Sequence, residues 1–236
     1  MGQLFDTRLH RDSAAARQVA ERCRDLLSKI AAPLRPDQLG QALLAELERG
    51  DRFGPSEVAA LAGALESGDL GDEVRAKLWS AMVARAPERG LLRIGCGDTL
   101  LAMGRQREAA EILIEAVERA PAEVDEFVED IAAVVAGVGD SDDDRAGALH
   151  MRLHLAQLRA ALRDIADGDS SGQSSALGGG LAAEDVRERY SELLESSRDY
   201  GPVLAQVREL GAVIRELEER GVLPQAFMRR GSWRRS

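Results

Sequence analysis

The tripeptide Arg85-Ala86-Pro87 returns as Arg119-Ala120-Pro121, so its two prolines stand 34 residues apart. Proline fixes φ and removes a backbone donor, and it therefore punctuates helices. Other breakers extend the rhythm along the chain. Asp12 and Ser13 predict a helix to about Ala31, stopped by Pro33; Pro36-Asp37 opens a second, closed by Gly50. Pro55-Ser56 opens a third to Ser67-Gly68, and Gly71-Asp72 a fourth ending before Pro87. Further helices are expected at about 89–103, 106–120, 122–136 and 143–166. Helices of one length class joined by short loops predict an all-α chain of stacked antiparallel hairpins. Composition agrees: 44% of residues are hydrophobic but only 3% aromatic, so the core is built from Leu, Ala, Val and Ile. Sandwiches and barrels, which lean on aromatic and β-branched strands, are disfavoured.

Between the two prolines the pattern is specific. Gly97 and Leu100 stand at a small and a bulky position of the first helix, Gly104 at the turn, Ala109 and Ala116 at two small positions of the second helix. This arrangement from Gly90 to Glu123 resembles one tetratricopeptide repeat, and the resemblance implies an α-solenoid of such units. The residues themselves point the same way. Small side chains let helices approach closely, while Leu92, Leu100, Ile112, Leu113 and Val117 form seams that neighbouring units must cover. One period earlier, Gly63 takes the small position, but Arg75 and Met82 replace the two alanines.

The chain divides at a change of composition. Residues 1–167 read as the helical repeat domain and 168–182, with Gly178-Gly179-Gly180, as a flexible linker. Residues 183–222 read as a helical hairpin and 223–236 as a basic tail. In the second helix of that hairpin Val203, Val207, Leu210, Ile214 and Leu217 make a seam of about two heptads. The expectation is a hairpin that folds on itself or docks on the repeat body, with a homodimer through 203–217 as the alternative.

Charge bounds the partners. The formal net charge is −10, which argues against nucleic-acid binding over the whole surface. Lys occurs only at 29 and 77, so Arg supplies the other basic residues, a bias that suggests a GC-rich, bacterial genome. Cys23 and Cys96 read as buried hydrophobes in a reducing compartment. With neither a secretory leader nor a membrane-spanning run in view, a cytoplasmic location is expected.

Familiar catalytic and metal-binding patterns fail on inspection. His150 and His154 are one turn apart, but Met151-Arg152-Leu153 between them lacks the glutamate of a zinc peptidase and no third ligand has a recognisable spacing. Asp140, Asp142 and Asp144 alternate like a calcium loop, which then places Arg145 where glycine is needed and Met151 where the bidentate glutamate belongs. Residues 55–62 have the texture of a DNA-reading helix, yet Arg75 and Lys77 of the next helix are offset by Asp72 and Glu73. No catalytic residue, metal or cofactor is expected.

A binding role remains. In the resemblance, first helices line a concave face that holds peptides or partner helices. The corresponding positions are Leu91, Ile94, Asp98 and Leu101, then Asp125, Val128, Ala132 and Val135. Glu126, Glu129 and Asp130 add negative charge, so a peptide or helix with basic flanks is the expected partner of an adaptor or regulator without chemistry. The tail is the opposite in character: Phe227, Arg229, Arg230, Trp233, Arg234 and Arg235 with no acid among them. It could fold back on the acidic groove, or make the chain a transcription-linked regulator that reaches nucleic acid through the tail alone.

Overall fold

A computed structural model describes residues 14–29, 35–49, 54–67, 70–138, 144–167 and 181–224. Among these residues every regular element is helical. No helix among them is long and apolar enough to cross a membrane. Backbone contacts divide the chain into two compact units, Met1–Ala156 and Gln157–Ser236.

The first unit holds α1 (Ala14–Lys29), α2 (Pro36–Glu48), α3 (Pro55–Ser67), α4 (Asp72–Arg85), α5 (Gly90–Ala102) and α6 (Gln106–Arg119). After them come the single turn α7 (Pro121–Val124), a 3-10 turn over Asp125–Phe127, α8 (Val128–Ala136) and the first part of α9 (Asp144–Ala166). The punctuation seen in the sequence acts locally. Pro36 and Pro121 occupy the first turns of their helices, where the missing N–H has no intrahelical partner to lose. At α3 the buried carboxylate of Glu57 accepts the Gly54 N–H at 3.1 Å and so satisfies one of the orphan donors of the helix start. Gly104, at φ 73°, ends α5: its N–H bonds to Leu101 and that of Arg105 to Leu100, the paired bonds of a Schellman turn.

One expected helix is broken. Over 122–136 the Val128 N–H bonds to the Asp125 carbonyl, three residues back, and this tightened turn separates α7 from α8. The apolar face survives the break, with Val124, Phe127, Val128, Ile131 and Val135 all buried.

Packing in the first unit follows two rules. Near the N-terminus each helix packs most extensively on the helix two places further along, α1 on α3 and α2 on α4. Further on, α5 is the hub, touching α3, α4, α6 and α7. Three glycines make that possible. A Cβ on Gly95 would stand 2.5 Å from the Trp79 ring of α4, one on Gly97 2.7 Å from Leu113 of α6, and one on Gly90 2.7 Å from Val124 of α7. Contacts this short would force the neighbour to move if a side chain were added, so a different neighbour is seated directly on the α5 backbone at each glycine. Trp79, Leu92, Ile94 and Leu113, all fully buried, close the core around them.

The second unit comprises the rest of α9 from Gln157, α10 (Val186–Ser196) and α11 (Gly201–Glu219). Arg159 donates to Gln206 at 3.3 Å, which sets this part of α9 beside α11. The heptad seam Val203, Val207, Leu210, Ile214 and Leu217 is buried throughout. This apolar strip is thus covered within the single chain. Gly221, at φ 72°, ends α11 in a second Schellman turn, and the chain then folds Leu223 into the core.

Candidate functional site

The repeat period reappears as contact. Arg89 donates to Glu123 at 3.1 Å, and Arg152 holds both carboxylate oxygens of Glu118 at 2.9 and 3.1 Å; each pair is separated by 34 residues. Gly90 and Val124, the same distance apart in sequence, meet in the core. Three pairs of residues 34 positions apart are thus spatial neighbours, which is compatible with a helical repeat of that period.

The eight positions expected to line a groove do not share one environment. Leu91 (2% exposed), Ile94 (0%), Val128 (5%) and Val135 (0%) belong to the core. For Leu91 and Ile94 the reason is the hub role of α5, which has helices on several sides, while Val128 and Val135 lie on the buried face of α8. Asp98, Leu101, Asp125 and Ala132 are half-buried and keep some surface. Asp98 lines a small cavity with Thr99 and Ala102 of α5, Glu66 of α3 and Arg75 of α4. Its volume of about 20 Å³ suits little more than one water. Asp125 and Ala132 sit on the segment that packs along α6. Close to these two in sequence, Glu126, Glu129 and Asp130 are exposed, so this segment keeps an acidic surface.

Arg93 anchors the hub. It is 2% exposed, donates to the Pro87 carbonyl at 2.6 Å and lies 3.5 Å from a Glu115 carboxylate oxygen. Burial lowers its pKa, and the Glu115 charge opposes that effect. The side chain thus ties the turn before α5 to α6, a positioning role. Cys96 and Cys23 are buried, and desolvation pushes both thiols from the ordinary 9.0 up to about 11. At neutral pH they are protonated and poor nucleophiles. His150 Nδ1 lies 3.0 Å from the Ala146 carbonyl of its own helix. Among the described residues no three metal-ligating side chains cluster. Asp140 and Asp142 of the calcium-like run lie outside the described residues, as do the tail residues Phe227, Arg229, Arg230, Trp233, Arg234 and Arg235 and most of the expected linker.

A second surface was not anticipated from the sequence. In the second unit α10 and α11 flank a groove of about 540 Å³ whose charged lining is Arg187, Arg198, Arg208 and Arg215. Its apolar part is Leu194, Leu204, Ile214 and the Tyr190 ring, whose hydroxyl end rests over Gly211. Arg187 is bridged to Glu218, and Arg198 lies 3.8 Å from Glu195. Arg208 and Arg215 are exposed and have no ion pair among the described residues. The trace of this surface in sequence is helical spacing: 187, 190 and 194 on one helix, 204, 208, 211 and 215 on the next, each set stepping by three and four. Comparison with family models, with curated proteins and with solved structures finds no match for this chain.

Proposed function

We infer that this chain is a tetratricopeptide-like helical-repeat adaptor that binds a partner protein and performs no chemistry of its own. The observation that carries the reading is the set of contacts one period apart, Arg89 with Glu123, Gly90 with Val124 and Glu118 with Arg152. Stacked units of this kind form extended surfaces whose usual work is recognition. The residues that we take to meet a partner are the half-buried Leu101, Ala132, Asp98 and Asp125 with the exposed Glu126, Glu129 and Asp130. Aliphatic side chains among carboxylates fit a peptide or helix with basic flanks. The setting that agrees with the composition is a bacterial cytoplasm, where the chain would scaffold, sequester or inhibit a regulatory component.

The test compares what the full chain and the double variant Leu101→Glu/Ala132→Arg retain from the native host, identified by mass spectrometry. Both positions are half-buried, so circular dichroism first establishes that the variant is folded. A protein retained by the parent, lost by the variant and displaced by its own basic segment supports the reading. Identical retention by both forms, or no saturable binding by either, overturns it.

A further inference from the structure

The groove between α10 and α11 carries charge of the opposite sign to the chain as a whole. Among the described residues four arginines and no acid line it, Arg187 and Arg198 face Glu218 and Glu195, and Arg208 and Arg215 have no ion pair, in a protein with a formal net charge of −10. We propose that this groove is a second docking site, and that its occupant is an amphipathic helix bearing acidic residues seven positions apart.

The spacing of the free charges leads to that choice. Arg208 and Arg215 are seven residues apart on α11, two turns and about 10 Å along the axis. One phosphate or one carboxylate cannot bridge that distance. Two acids a heptad apart on a neighbouring helix match it, because both helices advance by the same rise per residue. Between the arginines the groove is apolar, with Leu194 and Leu204 half-buried and Ile214 at its base. A helix would lay aliphatic side chains there while its acids met the arginine rim, which is the usual way an amphipathic helix enters a groove. A single-stranded nucleic acid suits the site less well. It needs aromatic faces on which bases stack, and the one ring here, Tyr190, is half-buried with its hydroxyl end against Gly211. Arginine adds geometric preference, since its planar fork holds a carboxylate through two donors.

The site is distinct from the acidic face of the first unit and prefers the opposite charge, so it stands or falls separately. The experiment measures fluorescence anisotropy of a labelled, capped helical peptide of about three heptads, with leucine on one stripe and glutamate at two positions seven apart, against the full chain. Saturable binding is expected, weakened at least tenfold in Arg208→Glu/Arg215→Glu and weakened by added salt. A peptide with lysine in place of glutamate should reverse the order and prefer the variant. Both substituted residues are exposed and have no ion pair among the described residues, so the variant should keep its circular dichroism and melting temperature. Leu101→Glu/Ala132→Arg should bind the acidic peptide as the parent does. The proposal is overturned by equal affinity for parent and arginine variant, by no saturable binding, by loss of binding in the Leu101 variant, or by a twelve-nucleotide single strand that binds more tightly than the peptide.

Discussion

The hairpin of α5 and α6 and the hairpin of α10 and α11 use the same device to different ends. Each places glycine where a large side chain from another helix comes down on the backbone: Trp79 on Gly95, Leu113 on Gly97, Tyr190 on Gly211. On α5 the device is repeated on several sides, and the outcome is a hub whose aliphatic residues are mostly buried, with Leu101 at its end keeping some surface. On α11 it occurs once, beside an open groove lined with arginine. Glycine in a helix costs about 0.5–1 kcal/mol relative to alanine, so the contact it admits must return at least that much. The comparison teaches that a helical glycine reports how near a neighbour comes, and that its surroundings decide whether the nearness closes a core or borders a site.

The largest effect should come from removing the ring that Gly95 admits. Trp79→Ala should cost about 3–5 kcal/mol, seen as a lower urea midpoint, because a rigid helix hub cannot collapse into the space left behind. A loss below about 1 kcal/mol would mean that the hub is looser than its contacts imply. Next in size is the response to alkali. The folded state holds each thiol neutral up to about 11, whereas the unfolded thiol ionises near 9.0. A raised pKa contributes stability that is intact below pH 9 and is lost as pH climbs towards 11, on the order of 2 kcal/mol per thiol. Cys96→Ala should flatten the decline of stability over that window; an unchanged slope would show that Cys96 does not titrate as a buried group. At neutral pH both thiols should resist Ellman's reagent until the chain unfolds.

The third comparison is the most direct. Gly95→Ala forces a methyl group into the Trp79 ring and should lose about 1–2 kcal/mol even after the gain in helix propensity. Gly211→Ala meets only the far end of the Tyr190 side chain, which can swing away, so its change should stay within about 0.5 kcal/mol of zero. Equal costs at the two positions would erase the distinction between hub and groove. Smallest of all, Glu123→Gln should shift the melting temperature by no more than a degree or two, since half-exposed ion pairs contribute little.

Much of the fold was legible because helix ends are written in local chemistry. Pro36, Pro55, Gly104 and Pro121 each act within their own turn, and the expected boundaries lie within a few residues of the observed ones. The 3-10 turn at Asp125–Phe127 was not legible, since its apolar positions keep the same spacing that an unbroken helix would show. The site was read less well, for a reason of a different order. Whether Leu91 and Ile94 face a groove or a core depends on how many helices surround α5, and that number is fixed by packing across the whole unit. Gly95 carried the information, but a glycine within a helix does not say which neighbour it admits; only the position of Trp79 explains it. The arginines at 208 and 215 look like any solvated face until α10 is set beside them.

That the groove is lined by arginine and never by lysine has a practical side. Lys29 and Lys77 are the chain's two lysines, and the second unit contains none. Acetylation and ubiquitination of lysine have no target within the second unit, so neither can modify the residues that line the groove. The reagents most used to survey protein associations couple through amines and would pass over a partner held on guanidinium groups. An inventory of contacts built on such reagents would be weighted towards the lysine-bearing unit, and photoactivated or arginine-directed probes would be needed to see the other half.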